Sequence, residues 1–481
     1  MDAEEVAQRP SEGGGPPAMQ PAGGGGMIAD YFKFAERGTD LITEARGGLT
    51  TFMVMVYIVF VNSSILGDGF GLAADDPGRI ALAAGTALIA GIMTIAMGVF
   101  GNLPLALAAG LGINAIVAFG LTARGLTPAG AMGVIVLEGL AVTVLVLIGF
   151  REAVMNAVPL ALKRAIGAGI GLFILFIGFA NGGFIKSGCS EFVPLPNCVG
   201  TLVTYNLPES PAQFVFLFGL ALTLILWARK IKAALVISIL VTTIVALIAN
   251  VTSIPSAISW TPSFSTIGAF DIGNVFSTLP LLTAILVIFA IMLTDFFDTM
   301  GTVTGVAAEA GLAAPDGSVP GVGRVLLVDS VAAAVGGLAG VSSNTTYIES
   351  AAGVAEGART GFASVVTGVL FLLAIILAPL AGIIPGVATA PALVLVGYLM
   401  FTQVKDINVG DLEDGLPALL TIILMPLTYD ISIGIGAGFI TWVLLKLVRG
   451  KAGEIHPLMW VVSVAFVVFF LQNWITALLP K

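Results

Sequence analysis

Charge is what this sequence has least of. Asp, Glu, Lys and Arg together make up 10% of its 481 residues, against about 25% in a typical soluble domain. That is too little to cover a surface facing water, so lipid is the expected solvent for most of the chain. Histidine occurs once and cysteine twice, too few for a zinc site or for Cys/His catalysis. No phosphate-binding loop ending in Gly-Lys-Ser/Thr is present, so nothing points to ATP-driven pumping. The run Gly110-Leu-Gly-Ile-Asn-Ala lacks the dinucleotide fingerprint. A basic start followed by an apolar run and a small-residue cleavage site is also missing, so no cleavable signal is expected. The chain reads as a protein that is not an enzyme and takes no cofactor, metal or nucleic acid.

Apolar residues make up 57% of the sequence, and mean hydropathy is +1.05. A membrane helix needs about 20 mostly apolar residues. Spans are expected near 47–66, 79–100, 130–149, 161–180, 211–228, 231–250, 279–305, 322–340, 361–381, 388–403, 414–428, 431–448 and 457–479. Two further stretches, 103–121 and 342–358, are apolar but short and Gly-rich. Counting both as passes puts the basic groups Lys33/Arg37/Arg46, Arg151/Lys163/Arg164, Arg229/Lys230/Lys232 and Lys446/Arg449/Lys451 on one side. By the positive-inside rule that side is the cytoplasm, with the N-terminus. Segment 457–479 is then an additional hydrophobic run that either spans or packs at an interface. Residues 1–28 are Pro/Gly-rich and read as a disordered tail. Cys189 and Cys198 fall in a loop expected outside, where a disulfide and two unpaired thiols are equally compatible with the pattern.

The two short stretches are alike in kind. Each follows a helix ending in Gly-x-x-Gly, Gly98 to Gly101 and Gly337 to Gly340. Each then runs through small residues into a polar group at membrane depth, Asn114 in one and Glu349 in the other. Paired Gly-interrupted segments in the two halves of a transporter mark its binding site, because irregular backbone survives at that depth only inside protein or against a cavity. Close helix packing is the plainer reading of such glycines; it accounts for Gly98 and Gly101 but not for the polar groups.

Glu138, Asp295, Asp298, Asp329 and Glu349 are the ionisable groups well inside the expected spans. A charge at the bilayer centre costs about 2.5–3.5 kcal/mol on the lenient insertion scale, so each is a functional candidate. All are acidic, and desolvation makes proton exchange by a carboxyl near neutral pH feasible. Asp295, Asp298 and Thr302 share one helix face. A carboxylate that accepts N–H donors beside a hydroxyl suits a heterocycle. Glu349 is placed to start a half-helix, where free N–H groups face a ligand. Asp329 and Glu138 read as ties between helices, and Asp295 as equally a tie or a proton site.

Two motifs resemble a known family. Asp295-Phe-Phe-Asp298-Thr-Met-Gly301-Thr and Thr346-Tyr-Ile-Glu349-Ser-Ala-Ala-Gly353 are similar to the adenine/guanine/hypoxanthine permease branch of the nucleobase–cation symporter-2 (nucleobase–ascorbate transporter) family. Gly110-Leu-Gly112-Ile-Asn114-Ala and Ile422-Ile-Leu-Met-Pro426 also look like that branch, and the resemblance runs over about residues 30–480.

It implies an all-α polytopic fold of about 14 segments in two inverted seven-helix repeats, with short strands in segments 3 and 10. Core-domain helices 1–4 would lie in 47–150 and 8–11 in 279–381. Gate-domain helices 5–7 would lie in 151–250 and 12–14 in 388–448. The resemblance also implies a multi-pass inner-membrane homodimer that imports purine bases with protons. Residue by residue, it assigns substrate contacts to Asp298, Glu349, Thr302, Gly112, Asn114 and Ser350, and proton coupling to Asp298, Asp295 or Glu349. One departure stands out: Asn344 is an extra polar group ahead of Glu349. A uracil, xanthine or other small-solute carrier of the same fold is the nearest alternative. A channel, which would need a continuous polar lining, is more remote.

Overall fold

The computed structural model describes residues 26–73, 76–149, 157–187, 203–254, 261–314 and 319–478. Cys189, Cys198, Arg151 and the tail up to residue 25 lie outside them. Where the tail was expected to continue to residue 28, helix α1 (Met27–Phe32) already begins.

Helices dominate. After α1 come α2 (Phe34–Arg37), α3 (Leu41–Met55), α4 (Ile58–Gly69) and α5 (Pro77–Ala96). Strand β1 (Leu107–Ala109), α6 (Leu111–Ala115) and a wide π turn, Ile116–Leu121, follow. Then come α7 (Pro128–Leu147), α8 (Leu160–Asn181), a small hairpin of β2 (Ile185–Ser187) and β3 (Val203–Tyr205), α9 (Pro211–Ala228) and α10 (Ala234–Ile248). The second half holds α11 (Ile272–Thr278), α12 (Leu281–Glu309), α13 (Val322–Leu338), β4 (Asn344–Thr346), α14 (Ser350–Ala355) and α15 (Gly361–Ala374). It closes with α16 (Gly386–Phe401), α17 (Leu412–Thr428), α18 (Ile431–Val448) and α19 (Pro457–Leu478). Among the described residues, nine helical stretches are long and apolar enough to cross a membrane unaided.

Local sequence explains where these helices start. Pro77, Pro128 and Pro211 occupy first-turn positions behind Asp76, Thr127 and Ser210, whose side-chain oxygens accept first-turn N–H groups. Asp40 caps α3 the same way, and the Thr43 N–H chiefly holds its carboxyl below the ordinary carboxylate range. Small residues then let the helices approach. A Cβ added at Gly98 would lie 2.3 Å from the Gly361 carbonyl oxygen, and one at Gly361 2.0 Å from that of Gly98.

Two sets of helices pack mainly among themselves. In one, α5 lies against α4 and α15, α3 against α15, and α7 against α13. In the other, α8 lies against α16 and α17, α17 against α18, and α9 against α10 and α16. Helix α12 touches both sets. The extra hydrophobic segment is α19, which bridges them: Phe466 packs on Phe439 of α18 at 6.1 Å and on Phe289 of α12 at 6.4 Å between ring centroids.

Charged ties sit at the ends of the bundle. Glu44 is fully buried and accepts N–H groups from Arg359 (2.7 Å), Thr360 (3.1 Å) and Ala363 (3.2 Å) at the start of α15. Glu413 pairs with Lys446, Arg449 and Lys451. At the other end of α17, Asp430 pairs with Arg124 and accepts the Ser432 N–H.

Candidate functional site

Strands β1 and β4 pair antiparallel, with Leu107 opposite Thr346, Ala108 opposite Thr345 and Ala109 opposite Asn344. They interrupt two chain segments inside the helical bundle, where every backbone polar group needs a partner. The surrounding helices supply the missing ones. Thr94 of α5 both accepts the Leu107 N–H (2.9 Å) and donates to the Leu107 carbonyl (3.0 Å). Asn62 of α4 donates to the Val341 carbonyl at 3.1 Å. The Gly110 N–H reaches the Ser343 carbonyl and the Tyr347 N–H the Ala106 carbonyl, both at 2.9 Å. The crossing is therefore a fixed platform, from which α6 and α14 run away as short helices.

A cavity of about 510 Å³ lies against this platform, within the size range of small-molecule sites. Asp298 of α12 and Glu349, the residue preceding α14, both line it, as do Thr302, Gly301 and Gly112. Among the described residues the Asp298 carboxylate has no hydrogen-bond partner in the protein. The Tyr57 hydroxyl, at the junction of α3 and α4, donates to Glu349 Oε1 at 2.8 Å and fixes that carboxylate. The opposite wall comes from α8 and the segment after α16, with Lys163, Gly167, Thr402 and Gln403. Exposed Trp227 and Gln403 stand at its rim, toward the helix ends that carry Arg164, Arg229, Lys230 and Lys405.

The structure brings together four of the residues singled out from sequence: Asp298, Thr302, Glu349 and Gly112. It gives the others different surroundings. Ser350, expected to touch substrate, is fully buried, and its hydroxyl accepts the Ala106 N–H at 3.0 Å; it serves the strand crossing because that backbone donor has to be matched. Asn114 is fully buried on α6 behind the cavity wall, its amide 3.5 Å from the Ala109 carbonyl. Asp295 is buried one turn before Asp298, away from the lining. Asp329 accepts the Thr299 hydroxyl (2.9 Å) and the Thr346 N–H (3.1 Å), tying α12, α13 and β4 together. Asn344 lies in β4, and its buried amide has no hydrogen-bond partner among the described residues. Tyr57, Lys163, Thr402 and Gln403 are among the polar lining or positioning groups that sequence reasoning missed.

Away from the rim the two helix sets meet tightly. A Cβ on Gly112 would lie 2.6 Å from Ile170 Cγ2 of α8. Beyond it the Tyr429 ring packs edge-on against Phe119 (6.0 Å), Phe173 (5.1 Å) and Phe176 (6.0 Å). The Arg124–Asp430 ion pair lies next to this cluster in sequence and ties the same segments. Chemically, the platform side of the cavity offers two carboxylates as acceptors for N–H donors and a hydroxyl at Thr302, the opposite side adds Lys163, Thr402 and Gln403, and the remaining walls are mostly apolar. Two carboxylates against one lysine suit an uncharged polar solute better than an anion.

Comparison with known proteins fits this chemistry. Residues 43–474 match the family described as the Permease family. The guanine/hypoxanthine permease PbuG of Bacillus subtilis is 38% identical, the alignment covering 92% of this chain and 99% of the relative. The adenine permease AdeP of Escherichia coli is 38% identical, with 92% and 96% covered. Among solved structures, the transmembrane domain of the cyanobacterial bicarbonate transporter BicA superposes with a TM-score of 0.61 at 14% identity. It covers 83% of this chain and 97% of that one, a likeness of fold alone. Joined to an apolar multi-pass bundle with a solute-sized cavity, a match over residues 43–474 and close relatives along nearly their whole length establish that this chain belongs to the permease family and is a multi-pass membrane transporter.

Proposed function

We propose that this protein imports purine nucleobases by proton symport. The observation that carries the proposal is the placement of Asp298 and Glu349 on the wall of one cavity beside the β1–β4 crossing. A purine presents ring N–H groups that ionised carboxylates accept and carbonyl or ring-nitrogen acceptors that hydroxyls and free backbone N–H groups satisfy. Adenine and guanine/hypoxanthine permeases among the relatives support a purine over other solutes.

In this reading fourteen passes form two inverted repeats in the inner membrane, with the N-terminus in the cytoplasm. The α3–α7 and α12–α15 set is the core that carries the base. The α8–α10 and α16–α18 set is the gate against which the core moves. The rim at Trp227 and Gln403 then faces the cytoplasm, and the Tyr429 cluster seals the outside. A proton taken up by Asp298, or by Asp295 one turn away, neutralises the site and favours its inward turn. Glu349 keeps its hold on the base.

The test is uptake of labelled adenine, guanine and hypoxanthine into proteoliposomes with and without an inward proton gradient. Saturable, gradient-stimulated uptake that Asp298→Asn abolishes is the expected result. Uptake indifferent to the gradient would refute coupling, and non-saturable flux would refute a carrier.

A further inference from the structure

We infer that Gly301 sets the size of base the site accepts: the side chain it lacks is the space that the second ring of a purine fills. The inference rests on the purine reading above and names the residue that makes the cavity wide enough for it.

Gly301 follows Asp298 by three positions on α12, so the two share a face one turn apart. It is exposed and lines the cavity. A Cβ built on it has no heavy atom within 4 Å. The other glycines of the lining differ. Added Cβ atoms would lie 2.6 Å from Ile170 at Gly112, 2.5 Å from Gln403 at Gly167 and 3.1 Å from Thr345 at Gly110. A neighbouring side chain stands where a Cβ would go at each of those three, and none stands there at Gly301. Within the described α-helices, Gly323 is the only other glycine with equal room, and it lies in the first turn of α13, outside the lining.

Helix propensity makes the choice of glycine more telling. Apart from proline, glycine is the poorest residue for a helix interior, and Gly301 stands well inside a 29-residue helix. The position gives up helix stability and gains no packing. What it keeps is free volume beside the Asp298 carboxylate. A single-ring pyrimidine held by that carboxylate does not need this volume. A fused two-ring base held the same way extends into it.

The experiment compares Gly301→Ala, Gly301→Val and the control Gly323→Ala for hypoxanthine and uracil binding and for hypoxanthine uptake. Gly301→Ala should raise the hypoxanthine KM about fivefold or more, the penalty of overfilling a site by one methyl, and Gly301→Val should raise it further. Its thermal midpoint should equal or exceed the wild-type value, because alanine is the better helix former. Gly323→Ala should leave KM unchanged, and uracil binding should not fall with hypoxanthine binding at either substitution of Gly301. Unchanged hypoxanthine KM in both Gly301 variants would overturn the inference. So would a loss of affinity matched by a fall in thermal midpoint, or one equal for both bases. Wild-type protein that takes up uracil and no purine would overturn the purine reading itself. That result is read on the unmutated protein, separately from any variant.

Discussion

Tyr57→Phe is the most direct probe of how Glu349 is held. The Tyr57 ring is fully buried, and its hydroxyl is 2.8 Å from Glu349 Oε1. Phenylalanine keeps the ring and its packing and removes only the donor. A hydrogen bond to a charged group contributes about 1.5–3 kcal/mol, which corresponds to a factor of about 10–150 in an equilibrium constant. Part of that is recovered if water replaces the hydroxyl, so a 10- to 50-fold fall in kcat/KM for hypoxanthine is the expected size. The loss should appear mainly in KM, because an unfixed carboxylate must be ordered again each time a base binds. Initial rates of labelled hypoxanthine uptake in proteoliposomes measure it, with the thermal midpoint in detergent reporting that the fold is intact. Uptake within twofold of wild type, from protein of normal stability, would show that the Tyr57–Glu349 contact does not position a carboxylate that binds the base.

Two further substitutions test the frame around the site. Glu44→Ala strips three N–H groups at the start of α15 of their acceptor; at about 1–3 kcal/mol for each unpaired donor, unfolding by SDS titration should show a loss of about 3 kcal/mol or more, and a loss under about 1 kcal/mol would contradict the assignment. Arg124→Gln and Asp430→Asn should be non-additive in the same assay by about 1 kcal/mol or more, as expected for a half-buried pair, whereas additive effects would show that the pair is idle.

How much of this was legible in sequence varies by element. Residence in the membrane follows from composition, and helix positions follow from the length of apolar runs: α8 spans Leu160–Asn181 where 161–180 was expected. Asp298 and Thr302 stand out because carboxylates at membrane depth are costly and their spacing puts them on one helix face. Glu349 was expected to start a half-helix, and α14 begins at the next residue. The strands carry no such signal. Leu107-Ala-Ala and Asn344-Thr-Thr are too short for alternation, and only the family resemblance suggested them. Tyr57 was invisible because its partner is 292 residues away. The contact of Ser350 is hidden for a related reason: its hydroxyl answers a backbone donor 244 residues earlier.

The β1–β4 crossing has a consequence for how the protein is made. Thr94 serves Leu107 from within the same half, but the ladder itself joins strands from opposite halves, so neither half can complete the platform alone. When the first half enters the bilayer during synthesis, Leu107–Ala109 has to wait with part of its ladder unpaired until Asn344–Thr346 is translated. That long closure is an entropic delay of the kind that slows non-local pairing. Until it ends, the nascent chain holds a polar stretch at membrane depth that only water, a chaperone or the insertion machinery can shelter. A chain cut between the halves would insert most of its helices and still have no site.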